Sequence, residues 1–245
     1  MATQFTGFPP QALSFFWQLA RNNRRDWFQP RKALYDEHVR GPMLDLIERV
    51  NDDLRSFAAD HVTEPARAVY RIYRDTRFSK DKTPYKTHIA AIFPRPGLPR
   101  HAGAGFYFSV SHTGVEIAGG MYMPGPEELA AVRQVLARGD KPIRKLIASP
   151  ALRRLMGELQ GTSLARVPRG YDPDHAAADL LRRKQFFFGK ELPANVALAA
   201  GLRREVSARF RAMAPVVHFL NAIVLQAMRS EEEHGDVPVR PAPMF

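Results

Sequence analysis

No cysteine occurs anywhere in the 245 residues. Disulfides, thiolate catalysis and cysteine-ligated zinc or iron–sulfur sites are thereby excluded. No stretch approaches the roughly 18 uninterrupted apolar residues of a membrane span. The opening MATQFTGFPPQ lacks a basic run followed by an apolar core, so no signal peptide is visible. These absences predict a cytoplasmic chain with no membrane partner. Lysine is scarce, 8 residues against 28 arginines, a ratio that GC-rich coding produces without any functional demand. Acidic side chains are outnumbered, 25 against 36, which leaves a formal charge of +11. Such an excess suits an anionic partner. It is also uneven. Residues 66–101 hold nine Lys or Arg against Asp75 and Asp81, so +7 of the excess lies in that one window. A hydrophobic share of 45% supplies an ordinary core without help from disulfides or metals.

The order of periodicities predicts the fold class. Residues 9–20 read as a helix opened by Pro9 or Pro10, with Leu13, Phe16, Trp17 and Ala20 on one face and Asn22 and Asn23 at its end. A second helical stretch begins after Pro30 and should break at Gly41 and Pro42 before resuming with Met43, Leu46, Ile47, Val50, Leu54 and Phe57. The centre then changes to a period of two. Strands are predicted at 68–74, 88–93, 105–111 and 115–122, the last two joined as a hairpin through His112, Thr113 and Gly114. Helices return from Pro126 onward, broken by a short strand at 185–188. Asp174 is placed to cap a helix running through Leu181, and residues 230–245 read as a frayed tail. The reading is an α+β fold: one domain over 1–229, with a central antiparallel sheet of about four to five strands and helices from both chain ends packed on one face. Tyr70 and Ile72, Phe106, Phe108 and Val110, and Val115, Ile117 and Met121 should face those helices, with Arg71 and Tyr73 opposite.

The segment RIYRDTRFSKDKTPYKTH, Arg71 to His88, carries the most information. Arg71, Arg74 and Arg77 recur at every third position, and Lys80, Lys82 and Lys86 follow. Guanidinium clamps two oxygens at once and ammonium supplies a point charge, so the cluster suits a phosphate or carboxylate. The candidate ligand-binding residues are Arg71, Arg74, Arg77, Ser79, Lys80, Lys82, Tyr85 and Lys86. Asp75 and Asp81 are candidate general bases, because flanking cations hold both ionised. Two other readings stand beside this one. In the first, the acids and bases lock one another into a salt-bridged loop without a ligand, although exposed pairs contribute only about 0–1 kcal/mol each. In the second, Tyr70, Tyr73, Phe78 and Tyr85, interleaved with cations, suit stacking on nucleic-acid bases.

This segment, with FFWQLARNNRRDWF, GFYFSVS and ARVPRGYDPDHAAADLLRRKQFF, resembles a widespread family of bacterial and fungal proteins known as domain of unknown function 2461. The resemblance runs from about Phe8 to about Ala227. It implies that Arg71, Arg74, Asp75, Arg77, Phe78, Ser79, Lys80, Asp81, Lys82, Pro84, Tyr85 and Lys86 belong to the family's hallmark. Arg166, Pro168, Gly170, Asp174 and His175 fall in its second block, where Ala165 replaces an expected basic residue. It implies no activity, cofactor or catalytic residue.

The remaining candidates are weaker. Eight histidines are scattered along the chain without an HxxxH or HExxH pair. Asp172, Asp174 and His175 read better as a turn and cap than as metal ligands, so no metal is expected. His218, in the apolar run PVVHFL, reads as a hydrogen-bonded core residue. Gly119 and Gly120 are too few for a phosphate-cradling loop, and backbone geometry is their better explanation. Ser79 has no evident base. No cofactor is evident, and the sequence leaves the oligomeric state open.

Overall fold

A proline at the first helical position has its φ already set and lacks only a donor that would be unsatisfied there. In the computed structural model, which describes residues 5–98 and 103–235 (side chains to 230), Pro10 opens α1, Pro10–Arg21. Its buried face is Ala12, Phe15, Phe16 and Leu19. That is a small rotation from the predicted stripe: Trp17 turns outward and stacks beneath the Arg21 guanidinium, 3.6 Å from the ring centre. Asn22 ends the helix through its side chain, whose Nδ2 donates to the Gln18 carbonyl at 3.0 Å, and not through a left-handed backbone.

The expected break at Gly41 and Pro42 is absent. A single wide turn, Asp36–Arg40, leads straight into α2, Gly41–Leu54, and places the proline in a first turn where its missing N–H costs nothing. Met43, Leu46, Ile47, Val50 and Leu54 on α2 are buried, as their spacing predicts.

Four strands form one antiparallel sheet: β1, His88–Phe93; β2, Gly105–Ser111; β3, Gly114–Met121; and β4, Phe186–Pro193. They lie in the order β1-β2-β3-β4. The α+β class and the antiparallel sheet follow the expectation. The segment 68–74 does not supply a strand. It touches the sheet through one bridge, Val69 to Ala91, then pairs with its own return at Tyr73 and Tyr85. The two bridges differ in register, so the pair is bent between them and no regular ladder develops. On its far side the second half of the hairpin pairs with β4, which runs to Pro193, well past the predicted Phe188.

Three helices, α3 (Pro126–Arg138), α4 (Lys141–Ile147) and α5 (Pro150–Met156), follow β3. The sheet is closed on one side by α6, Leu202–Gly235, which lies against β2 and β3. By length and composition alone, Leu202–Ser230 could cross a membrane; half of its most apolar window is buried in the protein. Phe210 on α6 meets Phe93, Phe106 and Phe108 with ring centres 5.6, 4.8 and 6.4 Å away. These side chains, with Ile89, Val110, Val115, Ile117, Met121, Phe186 and Phe188, form the sheet's half of the core. α6 continues through residues 230–235, which were expected to belong to the tail, and residues 236–245 lie outside the described residues.

Candidate active or binding cleft on the open sheet face

Alternation along a strand sends every second side chain to the face away from α6. The register places Ala90, Ser109, Glu116 and Glu191 in one row across that face, and Ile92, Tyr107, Ala118 and Gly189 in the next. Tyr70 extends the first row, because its N–H donates to the Ala90 carbonyl at 2.8 Å. Small residues at Ala90 and Ala118, between tyrosines, leave a depression. It is a cleft of about 390 Å³ whose walls include Tyr70, Tyr107, Tyr122 and Phe187, with Lys86, His88 and Glu116 also in its lining. Among the described residues its walls come from the strands and from segments flanking them, none of them helical. Tyr122 and Phe187 stand edge to face, 4.9 Å apart, and fix one end. Lys86 lies over the Tyr70 ring with its Nζ 4.8 Å from the centre. Gly120, at φ +123°, permits β3 to approach β4 here. A Cβ on it would stand 2.3 Å from the Phe186 carbonyl oxygen, which gives this glycine the structural role expected from the sequence.

The titratable groups of the cleft are perturbed in ways that follow from their surroundings. Burial pushes the Tyr107 phenol up to about 12, with the Ser109 hydroxyl opposing and the Glu116 charge adding to the shift. Burial, then the neighbouring Glu191 carboxylate, raises the Glu116 carboxyl above its ordinary range. Burial and the Lys86 charge lower His88, which holds the imidazole neutral at neutral pH. A neutral imidazole, a phenol that keeps its proton and a carboxylate of raised pKa are groups able to bind, donate to or accept from a polar ligand.

The basic segment is arranged differently from a single anion clamp. Arg74 is enclosed by its own loop: Nη1 donates to Asp81 and to Thr83 Oγ1, and Nη2 lies 3.4 Å from Ser79 Oγ. Arg77 grips Asp75 at both oxygens, 3.1 and 2.8 Å. Lys82 donates to the Thr76 carbonyl at 2.9 Å. The Arg77 side chain holds Asp75 down at about 2, and the Thr83 backbone N–H followed by Arg74 does the same for Asp81. Tyr85 is buried and stacked on Phe28 at 4.2 Å, and both polar groups of its peptide are held by the Asn23 amide. It is an anchor for the loop's return, not a surface group. Arg71 and Lys86 are brought together along a larger groove of about 1010 Å³ that also includes Asp75 and Tyr73. Arg74, Arg77, Ser79, Lys80 and Lys82 do not line that groove or the cleft.

Of the candidate ligand-binding residues read from the sequence, then, Lys86 lines the cleft and Arg71 the groove beside it, and Tyr70, read as a stacking residue, is a further wall of the cleft. His88, Tyr107 and Glu116 were missed. The alternation in GFYFSVS already set Tyr107 apart from Phe106 and Phe108, and a tyrosine on the outward face of an otherwise small-residue row was the available signal. The block around His175 is a turn, as expected, with the Asp174 N–H donating to Asp172 Oδ1 at 2.9 Å, but Asp174 caps no helix, because the N-cap position falls to Ala177 without a side-chain bond. Ala177 N–H donates to His175 Nδ1 at 3.0 Å, and Nε2 donates to the Ala137 carbonyl at 3.1 Å. Both ring nitrogens are therefore occupied. The helix it precedes is only Ala178–Leu181.

A family model described as "Conserved hypothetical protein (DUF2461)" matches residues 11–219, a stretch that contains the whole sheet and every wall of the cleft. No curated protein matches the chain.

Proposed function

The chain belongs to the DUF2461 family over residues 11–219, and from its geometry we propose that it is a small-ligand domain whose site is the cleft on the open sheet face, with a ligand that carries an anionic group. The carrying observation is the combination of an aromatic-walled cleft with a lysine in its lining. Tyrosine and phenylalanine rings around small floor residues fit a planar or ring-shaped body. Lys86, with Arg71 in the adjoining groove, supplies positive charge for a phosphate or carboxylate. In this reading most of the basic loop acts as a support, since its internal ion pairs shape the return through Tyr85 that delivers Lys86 to the cleft. Thermal-shift screening of the full chain against nucleotides, sugar phosphates and aromatic carboxylates tests the assignment. A ligand that raises Tm in the parent protein should fail to do so in Ala118→Leu, which fills the floor, and should bind at least about tenfold more weakly to Lys86→Ala. A ligand unaffected by both substitutions would place the site elsewhere.

One further observation favours a second reading, binding of single-stranded nucleic acid. Phe78 is 95% exposed at the tip of the basic loop, with the Arg77 guanidinium 5.7 Å from its ring centre and Lys80 and Lys82 close in sequence. An exposed ring among cations is a platform on which a base can stack. Anisotropy titrations with short oligonucleotides should then show affinity that falls steeply with salt and drops about five- to tenfold or more in Phe78→Ala. Salt-independent binding, or none at low ionic strength, removes this reading.

A further inference from the structure

On the helix side of the sheet, away from the cleft, three metal-binding side chains converge from distant parts of the chain. Asp60 and His61 sit in the single turn Ala59–His61, and His218 comes from the middle of α6. Their donor atoms all lie within 4.8 Å of one another. We propose that Asp60, His61 and His218 form a site for one divalent transition-metal ion of the zinc class, with its remaining coordination positions taken by water.

His61 is fully buried, edge-on to Phe106 at 5.0 Å, and its Nδ1 lies 2.9 Å from the Phe93 carbonyl oxygen. A carbonyl only accepts, so Nδ1 carries the proton and Nε2 presents its lone pair. This backbone carbonyl behind a histidine is the arrangement that fixes the tautomer of metal-ligating imidazoles. Nε2 accepts a hydrogen bond from Asn221 Nδ2 at 3.3 Å, which a bound ion would displace. That amide is held elsewhere by two good bonds to Ala104, of 2.8 and 2.9 Å, and does not depend on His61. The two oxygens of Asp60 are divided: Oδ2 pairs with Arg95, and Oδ1 faces His218 Nε2 at 3.8 Å. His218 Nε2 is itself enclosed and has no hydrogen-bond partner. An enclosed polar nitrogen without a partner calls for a specific explanation, and a bound ion is one. Two imidazoles and one carboxylate make a nitrogen-rich set that favours zinc, cobalt, nickel or iron(II) over calcium or magnesium.

Arg95 bears on the strength of this site. Its guanidinium holds the far carboxylate oxygen and so fixes the orientation of Asp60, while its positive charge opposes a cation. A readily exchanged ion is therefore expected, in contrast to a closed structural zinc.

The test uses the full chain after chelator treatment, with Zn2+ followed by calorimetry and Co2+ by its visible absorption. One equivalent should bind, and Co2+ should show the bands of a nitrogen- and oxygen-ligated ion. His218→Ala, at a half-buried position, and Asp60→Asn should each weaken binding at least about tenfold while the far-ultraviolet circular dichroism stays that of the parent. His38→Ala, remote in sequence and on another turn, should leave it unchanged. His61→Ala is not relied on, because the buried ring also supports the fold. No one-to-one binding by the folded parent, or one-to-one binding that His218→Ala and Asp60→Asn leave intact, overturns the proposal. Neither result touches the cleft, whose ligand assay is separate.

Discussion

At Glu116 a carboxyl of raised pKa, next to Glu191 on the adjoining strand, makes a prediction with a definite sign. The folded state binds its proton more tightly than the unfolded chain does. Between the ordinary pKa and the raised one the folded state therefore holds more protons, and stability falls as pH rises through that window. Above it the penalty is fully present; below the ordinary value it vanishes. Glu116→Gln should accordingly raise Tm by about 1–2 °C at pH 8 and leave it unchanged near pH 3, as read by calorimetry at the two pH values. A stabilisation that persists in acid would mean that the carboxylate is not the cause. The same residue shows why the site was only partly legible. Charge drew attention to the 71–86 segment, and Lys86 was reached that way. Glu116, His88 and Tyr107 become neighbours only when three strands are laid side by side, which no local spacing encodes. His61 and His218 are illegible in the sequence for the same reason: a histidine pair declares itself locally only at helical spacing, and these two meet only after α6 has docked.

At the scale of elements, the contact between α6 and the sheet is the one to break. Phe210 touches Phe93, Phe106 and Phe108 and is fully buried. Truncating a buried phenylalanine removes both its transfer free energy and its packing partners, so Phe210→Ala should cost about 3–5 kcal/mol. Urea titration measures it, and a loss below about 1 kcal/mol would contradict the role given to this helix. The strands that form this contact were legible because their alternation is clean: Phe106, Phe108 and Val110 face inward, as do Val115, Ile117 and Met121. The stretch 68–74 alternates almost as well, yet it forms no strand. There the turn at Pro65–Ala68 and the hairpin around Tyr73 and Tyr85 take up both ends, and only Val69 and Tyr70 remain to touch β1. Tyr70 consequently faces the cleft and not the helices. β4 was underestimated in the opposite sense, because Gly189, Lys190 and Glu191 carry no strand preference of their own and are held by the ladder with β3.

For the whole molecule, the grouping of helices, then strands with short turns, then helices was sufficient to give the α+β class, since antiparallel neighbours need no crossover. The excess charge of +11 was a poorer guide. Much of its densest cluster is spent inside one loop, where Arg74 and Arg77 each hold an aspartate. A different consequence follows from the position of α6 in the chain. A ribosome releases β1, β2, β3 and β4 before it releases the helix that covers them. Until residues 202–220 have emerged, Phe93, Phe106 and Phe108 lack Phe210, and the sheet lacks the helix that closes its apolar side. Transiently exposed surface of this kind is what holdase chaperones bind and what drives aggregation of unfinished chains. The newborn protein thus passes through a long interval in which nearly all of its sheet sequence exists and its core cannot yet close. Its vulnerable period is set by the order of synthesis, and it ends when the helix that spans the sheet clears the exit tunnel.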